Sequence, residues 1–339
     1  MKILKIQLAI NIGFMLLFCL HYSCKKDLAP KEKIRIGNNK KVGIAYTTWH
    51  RAELWNDYWG TPEFGKYLSN NRKVIKNHGE WLAYAGVDFI FIDWSNNIDY
   101  VYGVTQGRPD FDMIENTVPL IFQEWKDIKN APKISIMLGC PDQPEAFKDG
   151  RIKSKLNQIY NQFITNDHYK DQYYNYLGKP LVIIYVGTPT PFTKGIPDFN
   201  DERFTLRYMT GFITEQPYLV NNEKQSIYGY WSWEDRGNQT YSLYGDEPET
   251  CTIAAASREQ SGTNYVAAIG RMNGETFKNR WKRAVELDVH TALVVSWNEW
   301  VKGEQPSIEV SKDIEPSKEH GKLYLEMLKT EISKFKNTK

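Results

Sequence analysis

The stretch 294–304 reads VVSWNEWVKGE and places one acid, Glu299, between two tryptophans at the end of an apolar run. A carboxyl group beside large apolar side chains is partly shielded from water, which raises its pKa. The flat, half-polar faces of tryptophan can stack on a sugar ring. These residue types in this order suit acid–base chemistry on a carbohydrate.

Hydrolysis of a glycosidic bond needs one carboxyl group that protonates the leaving oxygen and a second group that acts as base or nucleophile, and two acids can supply this pair. We predict that Glu299 is catalytic and that its partner is Glu304, the nearest acid in the motif, or Asp93. For any one acid the alternative is a solvated loop residue or a helix N-cap. The acids that follow strand-like apolar runs are Asp93, Asp142, Glu234, Asp235, Glu299 and Glu304.

Aromatic residues make up 14% of the chain, with 11 Trp and 21 Tyr, and several follow the same runs. We expect at least two of the tryptophans to form sugar platforms. His50 is equally well an ordinary loop histidine, and Arg271 either grips an acidic group on a sugar or ties loops together. The predicted substrate-binding residues are Tyr46, Trp49, His50, Trp94, Asp142, Trp231, Trp233, Asp235, Arg271, Asn298 and Trp300.

The elements that must position these residues are eight short apolar runs, most of them followed by a helical pattern. Continuous apolar runs are typical of strands buried on both faces of a parallel sheet. The runs are 42–46, 87–94, 133–140, 179–189, 203–212, 225–235, 264–274 and 291–300. Eight such units in about 300 residues predict an α/β fold, a (β/α)8 TIM barrel with its site at the carboxyl ends of the strands. A doubly wound sheet is the alternative, yet no Gly-rich phosphate motif follows the first run.

The N-terminal residues have the pattern of an export leader. Lys2 and Lys5 precede an apolar stretch that is too short to span a membrane, and Ser23-Cys24 resembles the end of a bacterial lipoprotein leader. We therefore predict a signal peptide over 1–23, a lipid anchor on Cys24, a linker over 24–40 and one barrel domain over 41–337. The expected location is the cell envelope, on the periplasmic or outer-membrane surface; ordinary cleavage nearby is the alternative to lipidation.

Charge and composition exclude several function classes. Removing the leader takes two lysines from 43 Lys+Arg and no acid from 41 Asp+Glu, which leaves a formally neutral chain and argues against nucleic acid as a partner. Cys140 and Cys251 could form one bridge at most, and the histidines show no metal-binding spacing. We expect no cofactor and no metal. We also expect a monomer.

Three segments resemble glycoside hydrolase family 99, the endo-α-1,2-mannosidases, and the related family 71 α-1,3-glucanases. They are SWNEW…GEQ…IEPS, GVDFIFIDWSNN and YLGKPLVIIY. The resemblance implies a barrel glycosidase acting on α-linked mannose or glucose, with Glu299 as the base toward the sugar 2-hydroxyl and a Glu three residues later as general acid. This sequence has Lys302 there, and PSIEVSKD is inserted between Gln305 and IEPS.

Two classes of function follow from these features. The first is a glycoside hydrolase that cleaves a polysaccharide or glycan, with Glu304 or an acid from another strand as the proton donor. The second is a surface lipoprotein that binds carbohydrate without catalysis. Lys302 favours the second class, whereas the intact pair Asn298-Glu299 favours the first.

Overall fold

A barrel of eight parallel strands forms the centre of the molecule. The computed structural model describes residues 37, 39–51, 60–104, 107–187, 199–212, 219–220, 225–226, 230–234, 239, 241–259, 267–300 and 307–338. The strands are β1 (Lys41–Tyr46), β2 (Phe89–Trp94), β3 (Lys133–Gly139), β4 (Lys179–Gly187), β5 (Thr205–Phe212), β6 (Trp231–Glu234), β7 (Thr250–Ile253) and β8 (Thr291–Val294). The predicted (β/α)8 barrel is confirmed.

The strands pair in chain order around the barrel. The ladder runs from β7 to β8, then to β1 and onward to β6, and every pair in it is parallel. Between β6 and β7 the barrel is nearly closed by side chains. The Thr252 hydroxyl donates to the carbonyl of Ser232, and Nε1 of Trp231 donates to Oε2 of Glu249 at 2.9 Å.

Helices lie between most of the strands. They are α1 (Arg72–Ala85), α2 (Pro109–Asn116), α3 (Val118–Trp125), α4 (Arg151–Ile159, extended by a π-helical turn, Tyr160–Ile164), α5 (Glu275–Glu286) and α6 (Leu323–Lys336). The side chain of Asn71 accepts hydrogen bonds from the first turn of α1, and Gly86 ends that helix in the left-handed conformation. None of the helices in the described part of the chain combines the length and apolar character needed to cross a membrane.

Short strands and 3-10 turns lie in the loops between the barrel elements. They are the strands Asn175–Tyr176, Leu219–Val220, Gln225–Ser226, Leu243–Tyr244 and Glu247–Pro248, and the 3-10 turns Pro144–Phe147, Lys170–Gln172, Met272–Gly274 and Ile308–Val310.

Seven of the eight barrel strands lie within the apolar runs that predict them. The prediction for the remaining one, the seventh strand in chain order, is wrong. The seventh strand is Thr250–Ile253, and the predicted run contributes only the single bridge between Ser257 and Ile269 among its described residues. The segment 250–253 was missed because it alternates threonine with apolar residues, which does not look like a strand buried on both faces. Its threonines are buried nonetheless, since the hydroxyls of Thr250 and Ser242 pair at 2.8 Å.

The barrel interior is more aromatic than the branched aliphatic layers that are usual in this fold. Phe89, Phe91, Trp231 and Trp233 pack there with aliphatic residues from the other strands. Gly43 makes the room, because a Cβ at this position would lie 2.3 Å from the ring of Phe89. The opposite faces of the strands pack against the helices in a larger apolar core.

Candidate active site

A cavity of about 320 Å³ opens at the carboxyl ends of the barrel strands, where (β/α)8 enzymes carry their active sites. Acids from four different strand ends line it, together with two cations and two tryptophans. The lining side chains that the following paragraphs use are Trp49, Asp93, Asp142, Tyr185, Trp233, Glu234, Arg258, Glu299 and Lys312.

Glu299 enters this cavity from the turn that follows β8. Its backbone N–H donates to Oδ1 of Asp313 at 2.7 Å and to the hydroxyl of Ser296 at 3.3 Å. The Asp313 carboxylate also accepts the N–H of Trp300 at 3.1 Å and the hydroxyl of Ser311 at 2.7 Å. One buried acid therefore fixes the backbone of the turn that carries Glu299.

The environment of Glu299 suits proton transfer. Burial raises the pKa of its carboxyl group to about 7; the Lys312 ammonium opposes this shift, whereas the charges of Asp313 and Asp93 add to it. A carboxyl group with a pKa near 7 is present in both protonation states at neutral pH. An acid–base catalyst needs this property.

Lys312 lies between two carboxylates of the cavity. Its Nζ atom is 2.6 Å from Oε2 of Glu299 and 3.9 Å from Oε2 of Glu234. Burial lowers the Lys312 pKa, but the charges of Glu299, Glu234 and Asp313 outweigh it and raise the pKa overall, so this side chain remains a cation. Because both distances end on one Nζ atom, the two Oε2 atoms are at most about 6.5 Å apart, which is compatible with the carboxyl spacing of glycosidases.

Asp93 and Asp142 line the same cavity from β2 and from the loop after β3. Oδ1 of Asp93 accepts the N–H of Ser95 at 2.8 Å. Burial raises the pKa of Asp93, although its bonds to Ser95 and the charge of Lys312 act in the opposite direction. Asp142 adopts a positive φ and lies against Gly187, where a Cβ would come within 3.0 Å of the Asp142 backbone nitrogen.

The predicted tryptophan platforms divide into two groups. Trp49 and Trp233 line the cavity, whereas Trp94 and Trp231 lie in the protein core. Successive side chains of a strand point to opposite faces, so Asp93 in the cavity directs Trp94 toward the helices, where it packs on Phe163 with ring centroids 6.3 Å apart. Trp231 lies two positions before Trp233 on the same face, deeper in the barrel.

Asn298 and His50 are buried behind the cavity wall. Oδ1 of Asn298 accepts the N–H of Thr47 at 2.9 Å, and its Nδ2 donates to the Thr47 carbonyl at 3.1 Å. Nε2 of His50 donates to the Asn298 carbonyl at 2.7 Å, and burial lowers the His50 pKa to about 4. Both residues thus join the end of β1 to the motif and do not reach the cavity. The structure places His50 as a satisfied internal histidine.

Glu315, the acid of the IEPS segment, is the centre of a buried network beside the motif. It accepts hydrogen bonds from Nε1 of Trp300 (2.6 Å), the hydroxyl of Tyr67 (2.9 Å) and Nε2 of His78 (2.9 Å). The hydroxyl of Tyr46 pairs with Nδ1 of His78 at 2.8 Å. Tyr46 and Trp300, both predicted to bind substrate, therefore belong to this network and lie outside the cavity.

Arg271 is also buried and holds a loop. Its Nε donates to the carbonyl of Ile308 at 2.7 Å, and one terminal nitrogen donates to the carbonyl of Asp313 at 2.5 Å. Of the two interpretations left open for Arg271, tying loops together matches these contacts. The loop that it holds carries Lys312.

Several site residues are not accounted for by the sequence predictions. Glu234 was named among the acids without a role, and Lys312, Tyr185 and Arg258 were missed. Lys312 follows no apolar run, and its only signal is a position in the inserted PSIEVSKD segment. Three predicted residues, Cys24, Asp235 and Glu304, lie outside the described residues, as does Lys302.

The described residues offer no cluster of three or more His, Cys, Asp or Glu side chains arranged to hold a metal ion. Cys140 and Cys251 are buried and form no disulfide.

Solved structures with the same barrel are known. A GH99 endo-α-mannosidase from Bacteroides thetaiotaomicron, in complex with BIS-TRIS-propane, has a TM-score of 0.59 and 15% identity, over 90% of this chain and 99% of its own. Another structure of that enzyme gives 0.59 and 14%, over 88% and 98%. A glycoside hydrolase-like protein gives 0.53 and 16%, over 89% and 96%. At these identities the similarity establishes the fold. No protein-family model matches the chain, and no curated protein matches it in sequence.

Proposed function

We propose that this protein is a glycoside hydrolase whose cavity binds a glycan and whose Glu299 acts as a general acid or base. The observation that carries the proposal is the position of Glu299, a carboxyl group with a pKa of about 7, in a cavity at the carboxyl end of the barrel. The cavity also supplies further carboxyl groups and the faces of Trp49 and Trp233, which suit polar hydroxyls and apolar sugar faces respectively.

In the proposed reaction one carboxyl group donates a proton and the other accepts one. One gives its proton to the glycosidic oxygen as the bond to the anomeric carbon breaks, and the other removes a proton from the attacking water or sugar hydroxyl. The net change is the addition of one water across the bond. By resemblance to the family 99 motif, Glu299 takes the basic role toward a sugar 2-hydroxyl, and the substrate is an α-linked mannose or glucose polymer or glycan cleaved internally.

A carbohydrate-binding protein without catalysis is the second candidate. Lys302 stands where the family motif has its acid, and the ion pair between Lys312 and Glu299 keeps this carboxylate engaged. Either feature would suit a site that binds sugars and releases them unchanged.

Incubation with a panel of α-linked manno- and gluco-oligosaccharides separates the two candidates. We expect new reducing ends with the wild-type protein and at least about a hundredfold slower release with Glu299→Gln, the lower range for loss of an acid–base group. Binding of oligosaccharides without any new reducing ends would support the second candidate. A folded Glu299→Gln protein with near-normal turnover would refute the catalytic role of Glu299.

The location is proposed from the leader. A lipid anchor on Cys24 would hold the barrel at the cell envelope, where an external glycan is accessible.

A further inference from the structure

We propose that Glu234 is the second carboxyl group of the reaction and that Lys312 is a positioning residue that holds Glu234 and Glu299 as a pair. The inference rests on the proposed glycoside hydrolase function. It assigns the role of second carboxyl group, which position 302 cannot fill because this chain has Lys302 where the family motif has a Glu.

The geometry is that of a paired site built from two strands. Glu234 ends β6, and Glu299 follows β8, so the barrel brings them to one cavity from different directions. The side chain of Glu234 is 2% exposed and that of Glu299 15% exposed. The Lys312 ammonium contacts Glu299 directly and lies within 3.9 Å of Glu234.

The ammonium group of Lys312 balances the charge of the two carboxyl groups, Glu234 and Glu299. Two carboxylates whose Oε2 atoms are at most about 6.5 Å apart repel each other, so the site favours the state in which one of them holds a proton. Lys312 neutralises the remaining negative charge, and the three groups together then carry no net charge. One protonated and one ionised carboxyl group are the two forms that glycosidic hydrolysis requires.

The backbone of Lys312 is held firmly on both sides. The hydroxyl of Ser311 bonds to Asp313, and the Asp313 carboxylate binds the turn of Glu299. Arg271 donates to the carbonyl of Asp313. The inserted segment therefore delivers its lysine to a fixed place, which a solvated loop would not do.

Asp93 is the competing candidate from the sequence. It lines the cavity, yet it forms no ion pair with Lys312 within 4.0 Å, and Oδ1 accepts the N–H of Ser95. Its carboxyl group is thus partly occupied by its own loop. The ionisable groups that line the cavity around Glu299 or adjoin its turn are Asp93 from β2, Asp142 after β3, Tyr185 from β4, Glu234 from β6, Arg258 after β7, and Lys312 and Asp313.

Kinetics with two leaving groups identify the second carboxyl group. The probes are an oligosaccharide cleaved by the wild-type protein and the matching dinitrophenyl glycoside, whose leaving group needs no proton. Glu234→Gln should slow oligosaccharide cleavage at least about a hundredfold. A much smaller loss on the dinitrophenyl glycoside identifies Glu234 as the proton donor, whereas rescue by azide or formate identifies it as the base or nucleophile. Asp93→Asn should lose less than about tenfold. The reverse order of Glu234→Gln and Asp93→Asn would overturn the assignment of Glu234.

The pH dependence tests Lys312. Lys312→Met should shift the acid limb of the kcat/KM profile upward by about one pH unit, because it removes a cation that favours ionised carboxylates. Lys312→Arg should restore the wild-type limb. Lys155→Met is the control. It removes a buried ion pair outside the cavity, in which Nζ of Lys155 lies 2.5 Å from Oε1 of Glu115, so it should lower stability and leave the acid limb of the kcat/KM profile unchanged.

An unchanged limb in folded Lys312→Met would overturn the role of Lys312. NMR titration of the Glu299 carboxyl carbon, whose signal is assigned with Glu299→Gln, compares the pKa of Glu299 in the wild-type protein and in Lys312→Met without any substrate. If no glycan is cleaved by the wild-type protein but the titration still shifts in Lys312→Met, the proposed hydrolase function fails while the electrostatic effect of Lys312 on Glu299 stands. If Glu299→Gln is inactive and Glu234→Gln is fully active, the hydrolase stands and the pairing of the two acids in catalysis fails.

Discussion

The carboxylate of Asp313 accepts the backbone N–H of Glu299 at 2.7 Å. Asp313 is the last residue of the inserted segment PSIEVSKD, so the chain after the motif determines where the motif's acid is held. The same segment supplies Lys312, whose ammonium contacts the Glu299 side chain. Both the backbone and the charge of Glu299 therefore depend on residues that the motif itself does not contain.

The raised pKa of Glu299 makes stability depend on pH. The folded-state pKa is about 7 against an ordinary value of 4.5, so the folded protein binds the extra proton and loses stability as pH rises from about 4.5 to about 7. We expect the unfolding free energy of Glu299→Gln, relative to wild type, to rise by up to about 3 kcal/mol across that window. Urea unfolding at several pH values measures it. Parallel pH curves for the two proteins would contradict the shift.

Trp49 is expected to contribute to glycan binding more than to stability. It is half-buried and lines the cavity, so Trp49→Ala should weaken oligosaccharide binding by about 1–3 kcal/mol, the scale of a lost large apolar contact. The matched control is Trp300→Ala, which removes a buried indole bonded to Glu315 and should destabilise the fold by about 3–5 kcal/mol. Calorimetric titration and thermal melting distinguish the two effects. Equal losses of stability in both variants would place Trp49 in the core.

Glu315→Gln should destabilise the protein by about 2–4 kcal/mol. The buried carboxylate accepts hydrogen bonds from Trp300, Tyr67 and His78, and a neutral amide cannot accept all three. Glu326→Gln is the control, because Glu326 is exposed and its carboxylate accepts a hydrogen bond from the hydroxyl of Tyr84, which an amide oxygen can also accept. Denaturant midpoints measure the effect, and similar midpoints for the two variants would show that the network adds little stability.

Gly139→Ala should disturb the cavity through β2. A Cβ at Gly139 would lie 1.8 Å from the carbonyl oxygen of Ser95, a backbone atom that cannot rotate away. The loop carrying Ser95 must move, and we expect a loss of at least about 2 kcal/mol in stability together with weaker glycan binding. Gly270→Ala is the matched control, since its Cβ would meet only an ordinary 3.6 Å contact. A well-folded Gly139→Ala protein with normal binding would show that this close approach is relieved at no cost.

Cys24→Ala tests the proposed anchor. Lipidation requires the Cys24 thiol, so the variant should move from the membrane fraction to the soluble fraction of cells that express the full chain. Wild-type protein and a Cys140→Ser variant serve as controls. A Cys24→Ala protein that stays with the membrane would refute the lipid anchor.

The sequence by itself determined the barrel and the direction in which its acids lie. Continuous apolar runs are a local property, and a strand buried on both faces imposes them on its own residues. Seven of the eight strands were therefore predictable, and with them the general positions of Asp93, Glu234 and Glu299 at strand ends. The seventh strand was missed because Thr250 and Thr252 satisfy their hydroxyls by tertiary hydrogen bonds, which local pattern does not reveal.

Only the tertiary structure decided which side chains face the cavity. Asp93 and Trp94 are adjacent in the chain and point to opposite faces, so a one-residue step separates cavity from core. Arg271 and Trp300 are buried because distant segments supply their acceptors: the carbonyls of Ile308 and Asp313, and the carboxylate of Glu315. Lys312 follows no strand, and its place beside Glu299 arises from the packing of the inserted segment against the motif.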